Sequence, residues 1–378
     1  MKNDESGPVA RPGDYGFTEW QPRIWNGMTV SASRSLLAGN FSRVGLRRYP
    51  LLLSVVATAC INSMAVRLSG LKPPPPAQSP IFILGFWRSG TTWLHDLLAA
   101  DQRHVAPTTV QCLFPRSFPV AEFLAPVVDR LIPKGRPMDA MAVAPGSLQE
   151  DEFAILNAGL ASPYRYFAFP SAMAGTIDSV GCWPETEAER MAWLGVWRRF
   201  IDQVAFRSGG RRPVLKSPAH TGRIAQILKA YPNAQFVHIS RDPESLLASN
   251  LNMFAAFTAT QTFEARIASR TARTETVFRL FRRVYDAYFA EREMIPTGNL
   301  LEIGYEDLID DPAASARRVY SFLQGEETMP EEVRSLISAR RDYRPGRHEA
   351  LTGEVLGRLR REWADYSQAF GYSTQSKK

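Results

Sequence analysis

A chain of 378 residues with 45% apolar content can bury a sizeable core, as one large domain with appendages or as two modest ones, which excludes a disordered polymer. The formal net charge of +7 suits an anionic ligand, an acidic membrane surface or nucleic acid, but the arginines are spread along the whole chain, so charge by itself selects none of these. Cys60, Cys112 and Cys182 are too few and too widely spaced for a disulfide framework or a zinc pattern, and they fit a reducing cytoplasm.

The residues as far as Tyr15 are polar and rich in Gly and Pro, which reads as a loose terminus. Pro50 to Val66 is the most apolar stretch, with Arg47 and Arg48 before it and Arg67 after it. At roughly 17 residues it is short for a membrane span, which needs about 20, so a core or interfacial helix is expected. A peripheral membrane contact through residues 50–66 stays open. Pro73 to Pro76 cannot continue a helix and favours an extended spacer. Residues 1–76 are therefore expected to be an N-terminal extension, with the apolar helix and the proline linker, and residues 77–378 the main domain.

Beyond the spacer, short apolar runs alternate with helical patterns. The runs Ile81 to Leu84, Pro213 to Leu215, Gln235 to Ile239 and Asn299 to Ile303 look like parallel strands buried on both faces. Helices are expected over Thr91 to Ala99, Glu187 to Phe206, Thr221 to Tyr231, Pro243 to Asn252, Ala265 to Ala290 and Pro312 to Leu323. The fold class is α/β, a parallel β-sheet flanked by helices, with an N-terminal helical extension.

Directly after the first run comes Gly85-Phe86-Trp87-Arg88-Ser89-Gly90-Thr91-Thr92-Trp93-Leu94. Glycines at 85 and 90 let the backbone curl and aim N–H groups at one point, and the following helix adds its dipole, so an anion is favoured there. The frame is that of a nucleotide-triphosphate P-loop, yet Thr91 stands where that loop has lysine, which disfavours a magnesium-dependent ATPase. The cation is Arg88 instead, able to fork onto a phosphate or sulfate. A second strand-to-helix corner reads His238-Ile239-Ser240-Arg241-Asp242-Pro243, with Asp242 placed as N-cap and Pro243 as first helical residue. Arg241 and Ser249, eight residues on, can both reach one anion at the sheet edge.

The string Arg88-Ser89-Gly90-Thr91-Thr92-Trp93 resembles the 5′-phosphosulfate-binding loop of the sulfotransferase family, and the Arg241 to Ser249 spacing is similar to that family's 3′-phosphate element. The resemblance spans Pro80 to Tyr372. It implies a P-loop-like sulfotransferase fold and transfer of a sulfuryl group from 3′-phosphoadenosine 5′-phosphosulfate (PAPS) to a hydroxyl, less readily an amine, of an unidentified small-molecule, lipid or carbohydrate acceptor. It also implies that no metal and no nucleic acid takes part. By the same resemblance Arg88, Ser89, Gly90, Thr91 and Thr92 hold the 5′-phosphosulfate, Trp93 stacks near the adenine, and Lys216 contacts the oxygens of the leaving side. Arg344 and Arg347, in a late basic segment, add contacts to the 3′-phosphate.

The general base has two candidates. His220 follows Lys216, although the comparable histidine of cytosolic members stands where this chain has Pro218. Other branches use a glutamate in a zone that here reads Pro107-Thr108-Thr109-Val110, so a carboxylate would have to come from Glu150-Asp151-Glu152, of which Glu152 is preferred and Glu150 next. Those acids can equally favour a helix N-terminus. The aromatic run Ser162 to Pro170, followed by Trp183, either walls the acceptor or belongs to the core. A homodimer stays open. A P-loop kinase and a non-catalytic adaptor on a nucleotide fold are the rival functions.

Overall fold

A computed structural model describes residues 9, 11–69, 73–123, 125–138, 141–173, 175–178, 183–325, 328–340 and 350–372. The chain divides into two compact units: Met1–Pro76, Pro107–Arg207 and Leu251–Leu280 form one, and Ala77–Ala106, Ser208–Asn250 and Phe281–Lys378 form the other. One break falls where the proline spacer ends, and the unit that contains residues 1–76 also takes in two later segments.

The second unit is built on five parallel strands: β1 (Ile81–Leu84), β2 (His104–Val105), β3 (Arg212–Lys216), β4 (Gln235–Ser240) and β5 (Leu300–Gly304), in the order β2-β3-β1-β4-β5. The four apolar runs all become strands. His104–Val105 was not anticipated, because two residues carry no readable alternation. Ile81, Ile83, Val214, Val237 and Ile239 point to one face of the sheet and pack against Leu94, Leu97 and Leu98 of a helix that starts at Thr91. This is the α/β layered sheet flanked by helices that the sequence implies.

The strand order places the ligand site. After β1 the chain runs to the β2 edge, returns through β3 beside β1, and then crosses to β4 on the other side of β1. The order reverses at β1, so the carboxyl ends of β1, β3 and β4 surround the crevice where open α/β sheets bind ligands.

On the opposite face β4 carries His238, stacked between Tyr288 at 4.5 Å and Phe370 at 4.8 Å. Phe281 stacks on Trp363 with centroids 3.5 Å apart. The C-terminal helices Gly353–Glu362 and Ala364–Ala369 supply Trp363 at their junction and the Tyr366 beyond it, which lines the same aromatic layer. The chain therefore closes on two short helices, with Trp363 between them.

Three further boundaries moved. The helix expected from Thr221 is a 3-10 turn, Pro218–Gly222, followed by Ile224–Ala230, because Ser217 and Pro218 start the turn early and Thr221 is engaged elsewhere. The helix from Pro243 continues past Asn252 to Gln261, no Gly or Pro stopping it. The next helix starts at Arg270 rather than Ala265, since the backbone there is already spent: the Phe263 N–H donates to the Ala168 carbonyl, and the Phe263 carbonyl accepts from the Gly45 N–H.

In the first unit, α1 (Val30–Leu37) packs on α2 (Tyr49–Leu68), whose buried positions are Leu51, Leu52, Val55, Ala59 and Asn62.

Burial, and next the nearby Arg292 charge, hold His238 down to about 3 against an ordinary value near 6.5, so the native protein keeps this imidazole neutral. An unfolded His238 takes up a proton below about pH 6.5, so stability should fall as pH drops from there toward 3. A His238→Phe variant is expected to show a shallower acid decline in denaturant titrations at pH 7, 5.5 and 4. An unchanged decline would place the acid lability elsewhere.

Candidate active site

The loop after β1 is shaped by positions that tolerate nothing larger. A Cβ on Gly85 (φ +143°) would meet the Ser89 Oγ at 2.5 Å and the Ile239 carbonyl at 2.7 Å. A Cβ on Gly90 (φ +94°) would meet the Tyr305 ring at 2.4 Å. Between them Arg88 has φ +69°, the one non-glycine residue with positive φ among those described, a conformation that costs on the order of 1–3 kcal/mol and persists only when its surroundings impose it.

Those surroundings are the second predicted element. Arg241, at the end of β4, donates from Nη1 to the Arg88 carbonyl at 2.6 Å, and Arg88 Nε donates to Ser249 Oγ at 3.1 Å. The two sequence elements, far apart in the chain, are therefore fastened to each other. Asn250 Nδ2 adds a bond to the Trp87 carbonyl at 2.7 Å. In the first turn of the helix Thr91–Ala100 the Trp93 N–H donates to the Gly90 carbonyl at 3.0 Å, and the helix N-terminus opens on this loop.

Several residues that hold the site were not assigned to it from the sequence, where the Tyr305-Glu306-Asp307-Leu308 segment resembles the family but reads as helix capping and packing. Thr221 Oγ1 accepts from the Gly85 N–H at 2.8 Å and donates back to the Gly85 carbonyl at 3.1 Å. Tyr305 lies under the Arg241 guanidinium at 4.3 Å. Tyr366 OH donates to the Arg241 carbonyl and accepts from its N–H. Burial, first of all, pushes the Tyr366 phenol well above its usual range, so it stays protonated and can do both. Glu306 accepts from the Asp242 N–H at 3.0 Å. Asp242 caps its helix through the Ser245 N–H at 2.9 Å, the role its position before Pro243 indicated.

Lys216 is buried at the end of β3, in register with Ile83 of β1, and so stands at the same edge of the sheet as the loop. His220 is fully buried in the turn after it, its ring edge-on to Phe82 at 5.6 Å. Trp93 is half-buried, with the Arg340 guanidinium 4.5 Å above its ring. Arg344 and Arg347 lie outside the described residues.

The acids belong to the other unit. Glu152 opens the helix Glu152–Asn157 and is buried, and the Asp151 carboxylate accepts from Trp197 Nε1 at 2.6 Å. Glu150 accepts from the Tyr164 hydroxyl at 2.6 Å and lines an apolar cleft of about 120 Å³ with Phe17, Leu113, Ile132, Phe153 and Phe257. Tyr164 also lines it, stacked on Phe153 at 4.6 Å. The rest of the aromatic run, Tyr166, Phe167 and Phe169, is core, as is Trp183.

The buried Ser89 hydroxyl and the Arg241 Nε–H have no hydrogen-bond partner among the described residues. Buried donors of this kind are costly unless something accepts from them. Two guanidinium groups and a helix N-terminus converge on the same place, so an anion with several oxygens fits it.

A model of the sulfotransferase family matches residues 80–329. The chain is 32% identical over 365 residues to the omega-hydroxy-beta-dihydromenaquinone-9 sulfotransferase Stf3 of Mycobacterium bovis, a match covering 94% of this chain and 93% of that one, and the Mycobacterium tuberculosis counterpart matches equally. Among solved structures, sulfotransferase STF1 from Mycobacterium tuberculosis superposes with a TM-score of 0.63 at 18% identity, covering 96% of this chain and 100% of that one. Sulfotransferase STF9 from Mycobacterium avium gives 0.60 at 16% identity, covering 97% and 96%. The two structures bear on the fold.

A Thr221→Val variant keeps the side-chain shape and strips both bonds to Gly85. We expect it to lower stability by about 1–3 kcal/mol in denaturant titration. A change within error would mean that Thr221 does not hold the loop.

Proposed function

The chain belongs to the sulfotransferase family, and from that premise we propose that it transfers the sulfuryl group of PAPS to a hydroxyl on an acceptor with a large apolar body, a menaquinone derivative or a compound like it. The observation that carries the donor half is the Arg241–Arg88–Ser249 tie beside a buried serine hydroxyl and arginine Nε–H that lack acceptors. Bound PAPS supplies an activated sulfuryl group and a bisphosphate leaving group. In this reading Arg88, Ser89, Gly90, Thr91 and Thr92 bind the 5′-phosphosulfate, and Arg241 and Ser249, with Arg344 and Arg347, bind the 3′-phosphate. Arg88 exchanges its bond to Ser249 for one to the donor. Trp93 lies along the adenine.

Transfer of such a group between two in-line oxygens leaves the protein mainly to position and neutralise. Lys216, at the sheet edge, neutralises charge on the departing side. His220 takes the acceptor's proton, and its neighbour Thr221 ties that turn to Gly85. Glu152, and after it Glu150, is the alternative base. The acceptor half rests on the relative that acts on an omega-hydroxylated dihydromenaquinone, at 32% identity. The compartment is the cytoplasm, with which the free thiols Cys60 and Cys112 accord.

Calorimetric titration with 3′-phosphoadenosine 5′-phosphate, with adenosine 5′-monophosphate and with ATP plus magnesium separates the readings. The bisphosphate is expected to bind with a Kd of about 1 μM, and Arg241→Ala to weaken it about 10- to 100-fold, the worth of a charge-assisted bond. Tighter binding of ATP with magnesium would replace this reading by a kinase, and no nucleotide binding would replace it by an adaptor. For the base, His220→Ala is expected to cut kcat by about 10²–10⁴-fold with bisphosphate affinity intact. A full kcat in that variant, with the loss appearing in Glu152→Gln instead, would move the role to the carboxylate.

A further inference from the structure

The helix α2 is apolar all round. Its inward residues Leu51, Leu52, Val55, Ala59 and Asn62 are buried in the first unit. It is also tied there by polar groups: Asn62 Nδ2 donates to the Gly27 carbonyl at 2.5 Å, Asn26 Nδ2 reaches Ser54 and Thr58, and Ser63 Oγ accepts from the Val30 N–H at 2.9 Å. By length and composition Leu46–Leu68 is long and apolar enough to cross a membrane, but these bonds fasten one side of α2 to the first unit. Yet its outer side is a continuous apolar stripe: Leu53 is 66% exposed, Val56 45%, Ile61 67%, Met64 65% and Leu68 76%. Exposed Ala57 and Cys60 fill the step between Val56 and Ile61, so exposed positions recur every three or four residues on one face over a helix of 20 residues, roughly 30 Å. Soluble monomers rarely leave a patch of that extent uncovered.

The charge around the stripe selects what covers it. From Trp20 to His95 the sequence contains no Asp or Glu, whereas Arg43 and Arg47 precede the stripe and Arg67 closes it. Next to its C-terminal end, Arg67, Arg116 and Arg199 line a cleft of about 520 Å³ floored by Ile155, Trp197 and Phe200. A second copy of the chain would set these arginines against their own kind across a two-fold axis. An anionic bilayer offers hydrocarbon to the stripe and phosphates to the arginines at either end, the arrangement of an interfacial helix.

We propose that α2 docks this protein on the surface of an anionic phospholipid bilayer, lying in the interface with Leu53, Val56, Ile61, Met64 and Leu68 in the acyl boundary and the Arg67–Arg116–Arg199 cleft taking a lipid phosphate. This goes beyond the sulfuryl-transfer reading and does not need the acceptor to be a quinone derivative.

The test is flotation of the full chain with phosphatidylcholine vesicles that contain or lack phosphatidylglycerol, without donor or acceptor. The wild type is expected to float with the anionic vesicles. Ile61→Glu with Met64→Glu should lower the partition coefficient by about tenfold or more, and Arg67→Ala by about fivefold. Circular dichroism and thermal melting confirm that each variant is folded, and the exposed positions make that the expected result. A polarity-sensitive label on Cys60, exposed on the same side of α2, in a Cys112→Ser, Cys182→Ser background, should shift to the blue on anionic vesicles. Four results would overturn the proposal: no flotation of the folded wild type, flotation unchanged in the Glu pair, an unshifted label, or a wild-type dimer that the Glu pair dissociates, which would give the face to a second copy.

Discussion

Two arginines carrying the same charge are fastened together at the carboxyl end of one sheet. Arg241 holds the carbonyl of Arg88, and Arg88 reaches the hydroxyl of Ser249. Two guanidinium groups meet at one place, and Arg88 additionally sits at φ +69°. The surrounding layer is what imposes this: Thr221 grips Gly85, Tyr305 closes on Gly90 and lies under Arg241, and Tyr366 bonds both backbone groups of Arg241. On the proposed reading, the donor's phosphates would meet both guanidinium groups here, on a scaffold that already holds them in position.

The glycine loop after β1 and the Arg241 corner were legible as structure because their signal is local. A glycine turn between an apolar run and a helix, an Asp-Pro helix start, and a serine two turns further on are all contained in short windows. The four longer strands were legible for a related reason, since strands buried on both faces read as unbroken apolar runs. What stayed hidden is the layer behind the loop. Thr221 and Tyr366 act through partners far away in the chain, and nothing in their neighbourhoods distinguishes them from ordinary core residues, while the Tyr305 segment reads in sequence as one that caps and packs a helix. The same reasoning covers β2, whose two residues owe their pairing to β3 rather than to any pattern of their own.

The apolar segment around Pro50 to Val66 illustrates the limit from the other side. Its composition is equally apolar on every face, so periodicity contains no information about which side is covered. Packing decides it: five positions face the first unit and the stripe between Leu53 and Leu68 does not. The acidic triplet divides in a similar way. Three adjacent carboxylates look interchangeable in sequence, yet Asp151 is committed to Trp197, Glu150 to Tyr164 in an apolar cleft, and Glu152 is buried at a helix start.

The measurement that bears most directly on the account is transfer of label from [35S]PAPS to an omega-hydroxylated polyisoprenoid quinone in detergent, comparing the wild type with Lys216→Ala. Label should move into the organic phase in step with release of 3′-phosphoadenosine 5′-phosphate, and the variant should lose that transfer while still binding the bisphosphate. Label that stays on the nucleotide, or appears only as free sulfate with every hydroxylated acceptor tried, would contradict it.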